Sequence, residues 1–188
     1  MIHIGTKQIK TKRLTLRRFV FNDADAMYNN WCSDERVTRF LTWQPHKNIE
    51  STRSLLKIWV DNYNNLSTYR WLIEYENKAI GSIDVVRMSD RDEVAEIGYC
   101  IGYDYWNKGI MTEAANAVID YMFREVQVNK VCISHAEKNP ASGLVAKKCG
   151  LTLEGIKRQD FKAMDGEFHD IVIYSILKDE WNSKKREC

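Results

Sequence analysis

The sequence predicts a mixed α/β sheet with helices packed against it, and three patterns carry that expectation. A meander of short strands runs from Tyr69 to Ile101. Alternating strand and helix replaces it from Thr112 onward, which calls for a parallel crossover beside antiparallel pairs. Two prolines, nine glycines and no Ser/Gly-rich stretch leave no place for an interdomain linker. One domain over 1–188 is therefore expected, with a charged, solvated tail over 178–188.

Each element has its own local reason. Arg13-Leu14-Thr15-Leu16-Arg17 alternates polar and apolar residues, as a half-buried strand does. Asn22 and Asp23 offer an N-cap to a helix carrying Ala24, Ala26, Met27 and Trp31. A second helix is expected from Ile49 to Tyr63, with Leu55, Leu56, Trp59 and Val60 on one face. Strand Tyr69–Tyr75 turns at Glu76-Asn77-Lys78 into Ala79–Arg87, and a polar turn at Ser89–Asp92 leads to Val94–Ile101. Ala115, Val118, Ile119 and Met122 form the apolar stripe of a helix over Thr112–Glu125. After the strand Val131–Ala136, Asn139 caps a helix with Pro140 at its first position, and Gly150 stops it. Glu154–Ala163 and Phe168–Leu177 close the chain around the turn Met164-Asp165-Gly166.

Composition narrows the function. With 28 basic and 26 acidic residues, the net charge of +2 gives no electrostatic case for nucleic acid as the main partner. No apolar run approaches the ~20 residues needed to span a bilayer, and Lys7, Lys10, Lys12 and Arg13 interrupt any signal-peptide core. A cytoplasmic protein without membrane attachment is expected. The five cysteines are odd in number and scattered, and the four histidines show no ligand spacing, so no metal site is expected.

The segment from Glu96 to Glu113 carries the chemistry. A strand leads through Tyr105-Trp106-Asn107-Lys108-Gly109 into a helix, and a glycine there lets backbone approach a ligand closely. The unpaired amides of the helix start, at the positive end of its dipole, form an anion site suited to a pyrophosphate. On periodicity alone, an ordinary strand-to-helix loop whose glycine relieves strain is the favoured reading of the segment. It has neither the three-glycine dinucleotide fingerprint nor a P-loop.

Trp106 to Ala114 resembles motif A of the GNAT acyltransferases, whose acetyl-CoA signature reads Arg/Gln-x-x-Gly-x-Gly/Ala. Gly109 stands as the central glycine, Trp106 replaces the Arg or Gln, and Met111 replaces the last small residue. Glu96-Ile97-Gly98-Tyr99, Asn139-x-x-Ser142 with Lys148-Cys149-Gly150-Leu151, Thr11-x-Arg13-Leu14-x-Leu16-Arg17, and Gly166-x-Phe168-His169-Asp170 with Tyr174 resemble the RimJ/RimL branch. In this order they cover about residues 11 to 181. The resemblance implies a GNAT fold: about seven strands splayed between the fourth and fifth, flanked by about four helices.

It also implies roles. Backbone groups of Tyr99, Cys100 and Ile101 would meet the pantetheine arm, and Trp106, Asn107, Lys108, Gly109, Ile110, Met111 and Thr112 would surround the pyrophosphate. Asn139 and Ser142 would lie beside the pantetheine and thioester, although both also make sense as residues of an ordinary helix start. The tyrosine acid of many relatives, seven residues past the asparagine, is Ala146 here, which leaves Ser142 as a donor to the departing sulfur. Glu96 and Asp160 are candidate bases, each of which could equally be a surface ion-pair carboxylate. His135 near the cleft is more simply structural, and Cys100, among apolar neighbours without a base, is rejected as a nucleophile. Trp43, in the loop broken by Pro45, is a candidate for shaping the acceptor site.

The expected activity is acetyl-CoA-dependent N-acetylation of a primary amine, either a protein N-terminal α-amine or a small amine. The competing reading is a GNAT-fold sensor that binds acyl-CoA without turnover. Exposed aromatics could support a homodimer.

Overall fold

Strands between Ile9 and Leu177 join one mixed sheet in the computed structural model, which describes residues 1–164 and 166–186 and side chains as far as residue 183. Asp165 of the expected hairpin turn and Cys188 lie outside the described residues. The strands are β1 (Ile9–Lys10), β2 (Leu14–Arg17), β3 (Arg70–Tyr75), β4 (Lys78–Ser89), β5 (Val94–Ile101), β6 (Lys130–Ala136), β7 (Thr152–Lys162) and β8 (Phe168–Leu177). Their order is β1-β2-β3-β4-β5-β6-β8-β7. Every ladder is antiparallel except β5–β6, the pair joined by the helical crossover.

The helices are α1 (Ala24–Met27), α2 (Glu35–Thr38), α3 (Ile49–Asp61), α4 (Ile110–Tyr121), α5 (Pro140–Lys148) and α6 (Lys178–Arg186). Wider π turns extend α1 through Tyr28–Cys32 and α4 through Met122–Val126. Among the described residues this makes eight strands and six helices, against the seven and four expected. β1 and α2 are too short to show a period. α6 corrects the expectation of a solvated tail: Trp181 stacks on Phe123 at 5.2 Å, and its Nε1 donates to Asp120 at 2.7 Å. One aromatic anchor therefore docks a charged segment.

Asp23 also departs from its expected cap. Its carboxylate accepts two bonds from Arg17 at 2.8 Å and one from Val20 N at 2.8 Å. A buried aspartate is better compensated by a guanidinium fork than by one helix amide.

Two cores sandwich the sheet. The larger lies under α4 and α5 and includes Trp71, Ile97, Val118 and Ile133. The smaller lies under α1 and α3 and includes Trp31, Leu56 and Leu72. Trp31 and Trp71 are both fully buried. Side chains alternate between these faces along each strand, which sends Ile97 and Tyr99 toward α4 and α5 and Cys100 toward α1 and α3.

The feature that positions the site is an interrupted ladder. β5 and β6 pair only from Val94↔Lys130 to Ile97↔Ile133, although β5 continues to Ile101 and β6 to Ala136. Beyond that point β5 stays with β4 through Gly81↔Ile101, while β6 stays with β8 through Ala136↔Ile171. The two strands therefore splay apart as the resemblance implied. Backbone groups of Gly98 to Ile101 on that edge have no strand partner, a situation that invites an extended ligand.

Candidate active site

Gly109 begins α4 in the left-handed conformation, at φ 69°. The first intrahelical bond is Glu113 N to Gly109 O at 3.1 Å, so the amides of Ile110, Met111 and Thr112 precede the helix ladder. An added Cβ at Gly109 would meet nothing closer than Arg13 Nη2 at 3.8 Å. The helix start is thus open, donor-rich and flanked by a guanidinium, and it fits a pyrophosphate.

The expectation for individual loop residues needs correction. Ile110 and Met111 are buried, so only their backbones can face a ligand, and the bulky Met111 side chain occupies core. Trp106 turns its Nε1 to Ile101 O at 2.9 Å, closing the loop back on the splayed strand. Arg13 stands beside the loop, its Nη1 donating to Lys108 O at 3.0 Å. Asn107 adopts φ 59°, and Lys108 lies over the Tyr105 ring.

Glu113 holds this arrangement. It accepts from Thr11 Oγ1 at 2.6 Å, Arg13 N at 2.9 Å and Arg13 Nε at 2.6 Å. Burial pulls its carboxyl upward, but the bonds from Thr11 and Arg13 outweigh that and hold it below the usual carboxylate range. The sequence signal for this clamp was Thr11-x-Arg13, legible as a motif without a role.

On the other side of the opening, Asn139 Oδ1 accepts from Ser142 N at 3.4 Å as the cap of α5. Tyr99 OH lies 2.9 Å from Ser142 Oγ and 3.1 Å from Ser142 O. Burial pushes the Tyr99 phenol far above its ordinary value, so it stays protonated. Behind them, His135 Nδ1–H donates to Ala136 O at 2.8 Å, and its ring stacks on Tyr174 at 5.9 Å. Its Nε2 is buried against Gly143, where a Cβ would stand 2.5 Å away. Only glycine at 143 lets α5 close over that imidazole.

The carboxylates proposed from sequence are not brought to Ser142. Glu96 alternates with Ile97 and so faces away from α5, where it accepts from Arg87 Nε at 2.9 Å. Asp160 lies on the exposed strand β7 and pairs with Lys157 at 3.3 Å. Cys100 contacts Ser82 Oγ at 3.4 Å, and burial pushes its thiol up to about 11, which agrees with its rejection as a nucleophile. Trp43 lines a groove of about 1150 Å³ with Tyr28, Arg39, Phe40, Trp106 and Met164. The groove thus reaches from the glycine loop to the β7–β8 hairpin. Among the described residues no group of His, Cys, Asp and Glu could hold a metal ion, and no helix is long and apolar enough to cross a membrane.

Residues 13–152 match the family model described as an acetyltransferase (GNAT) domain. The chain belongs to the GNAT acetyltransferase family. Among GNAT relatives it is 30% identical over 172 residues to the uncharacterised N-acetyltransferase YoaA of Bacillus subtilis, covering 90% of this chain and 96% of YoaA. It is 26% identical over 178 residues to the ribosomal-protein-serine acetyltransferase of Escherichia coli, covering 93% and 98%. The ribosomal-protein α-N-acetyltransferase RimL, solved in complex with coenzyme A, superposes with a TM-score of 0.84 at 22% identity over 93% of this chain and 99% of that one. The RimJ/RimL resemblance and the splayed GNAT sheet therefore stand.

Proposed function

We propose that this GNAT acetyltransferase moves the acetyl group of acetyl-CoA to a primary amine by direct attack on the thioester, with a protein N-terminal α-amine as the first acceptor class and small amines as the second. The observation that carries the reading is the opening between β5 and β6, bounded by a donor-rich helix start at Gly109 and by Ser142. The ribosomal-protein relatives support the protein acceptor, and RimL, solved with coenzyme A, supports the cosubstrate.

In this reading acetyl-CoA supplies an activated acyl group, and the residues around the opening do the rest. The amides from Asn107 to Thr112 hold the pyrophosphate, with Arg13 fastening the loop through Lys108 O. The backbone edge of Tyr99 to Ile101, where Trp106 already engages Ile101 O, aligns the pantetheine arm, and Asn139 flanks it with its amide NH₂ group. Ser142 donates toward the departing sulfur, where charge develops. Trp43 walls the acceptor groove, and the work is cytoplasmic.

One observation favours a sensor without turnover: Ala146, at the tyrosine-acid position, is fully buried and offers no acid. Thiol release from acetyl-CoA decides between them, measured with peptides bearing free N-terminal Ser or Ala and with spermidine. Amine-dependent release supports transfer. Acetyl-CoA binding with no release for any acceptor supports the sensor.

A further inference from the structure

The face of the sheet turned toward α1 and α3 carries a carboxylate that no sequence pattern marks. Asp84 on β4 pairs in register with Gly98 on β5, one residue past Ile97, where β5 leaves β6. It lies on the same face as Ser82 and Cys100, opposite the face on which Tyr99 meets Ser142. An amine that meets a thioester held at Tyr99 from the face away from α4 and α5 passes Gly98 and, in register with it, Asp84. Val86, 61% exposed, flanks that approach: an added Cβ at Gly98 would lie 2.6 Å from Val86 Cγ1.

The bonding of Asp84 is incomplete. Oδ2 accepts from Arg70 Nε at 3.2 Å, whereas Oδ1 is closed off from solvent and has no hydrogen-bond partner. An ion pair kept for stability alone would satisfy both oxygens, since leaving one buried and unpaired costs folding free energy. The side chain as a whole keeps 15% exposure, so the group is shielded without being sealed.

Its surroundings suit a proton acceptor. Arg70, from β3, faces it and is itself covered by the Trp59 ring of α3 at 4.1 Å. Tyr63, after α3, and Cys100, on β5, neighbour the same carboxylate, and burial pushes them up to about 12 and about 11, so both keep their protons. Further along the face, Glu96 is engaged by Arg87, itself 69% exposed. Burial pushes the Asp84 carboxyl up to about 6 in spite of Arg70, close to a working pH for base catalysis.

We propose that Asp84 is the general base that takes the proton from the acceptor ammonium. The inference rests on the acetyl-transfer reading above. The ammonium gives one proton to the Asp84 carboxylate. The freed nitrogen lone pair forms the new C–N bond as the C–S bond breaks, the thiolate takes up a proton, and the Asp84 and amide-nitrogen protons pass to solvent.

The test measures thiol release between pH 5 and 9 with N-terminal Ser and Ala peptides and spermidine. Asp84→Asn should lower kcat/KM at neutral pH by about 100-fold or more with acetyl-CoA affinity unchanged. Its acid limb should give way to a steady rise as the amine deprotonates in solution, and Asp84→Glu should recover part of the rate. Arg70→Gln breaks the same ion pair but keeps the carboxylate, so turnover should persist with the acid limb moved to higher pH. As a readout without turnover, the same peptide should bind CoA-loaded wild type more tightly as pH rises through 6, and Asp84→Asn should lose that dependence.

Asp84→Asn turning over like wild type with the same pH profile overturns the inference and leaves the acetyl-transfer reading intact. Arg70→Gln falling as far as Asp84→Asn assigns a structural ion pair and also overturns it. Should Asp84→Asn not fold, an unmoved acid limb in Arg70→Gln overturns it alone. Wild type releasing no thiol with any acceptor removes the reading, and this inference with it.

Discussion

The Tyr99 hydroxyl, 2.9 Å from Ser142 Oγ, ties the splayed end of β5 to the first turn of α5. A phenol has one proton to give. If Tyr99 gives it to Ser142 O, the serine hydroxyl donates back to Tyr99; if it gives it to Oγ, the serine proton is free to point elsewhere. Because burial keeps Tyr99 protonated, the second arrangement makes Ser142 a deliverable donor for a thiolate. Ser142→Ala should then lower kcat by roughly tenfold to a thousandfold with little change in acetyl-CoA affinity. Tyr99→Phe should cost less, about tenfold, because the serine hydroxyl remains. An unchanged kcat in Ser142→Ala would transfer the acid role to water or Tyr174.

At Gly109 the constraint is backbone rather than space, since φ is 69° and the nearest atom to an added Cβ is 3.8 Å away. Gly109→Ala should destabilise the fold by roughly 1–2 kcal/mol. Acetyl-CoA should raise the melting temperature of wild type by mass action, and Gly109→Trp should remove most of that shift by filling the phosphate site. A full shift in the tryptophan variant would place the cofactor elsewhere.

Glu113 fastens the glycine loop through Thr11 and Arg13, about a hundred residues away in sequence. Glu113→Gln should weaken acetyl-CoA binding by roughly tenfold or less, the scale of one or two hydrogen bonds. Its folded carboxyl is depressed, so its contribution to stability is present above the ordinary glutamate range. That contribution fades as pH falls through the folded value. The difference in melting temperature between wild type and Glu113→Gln should therefore shrink in acid. A difference independent of pH would argue against the clamp.

Gly143 and His135 leave no room for a methyl group, with 2.5 Å between an added Cβ and Nε2. The imidazole cannot yield easily, because Ala136 O and the Tyr174 ring fix it. Gly143→Ala should cost roughly 1–3 kcal/mol from overpacking and lower kcat by displacing Ser142. Adding His135→Ala should restore much of the lost stability, as unfolding in urea would show. No restoration would mean that the strain lies in the α5 backbone.

What the sequence determined by itself is what depends on neighbours a few residues apart. The strand Val94–Ile101 was legible to the residue from its turn signals and apolar alternation, and the Asn139–Pro140 cap and the Gly150 stop from short-range hydrogen bonding and sterics. The glycine loop was recognisable through its resemblance to motif A, a short contiguous motif around Gly109. Tertiary structure decided everything that required distant segments to meet. It put Arg13 beside Gly109, docked Trp181 on Phe123, and turned Glu96 away from Ser142. It also left one oxygen of Asp84 unpaired beside the point where two strands part. The reason is physical: side-chain periodicity assigns a residue to a face, but which charges meet across that face depends on strand order and register. Those follow from packing the whole chain at once.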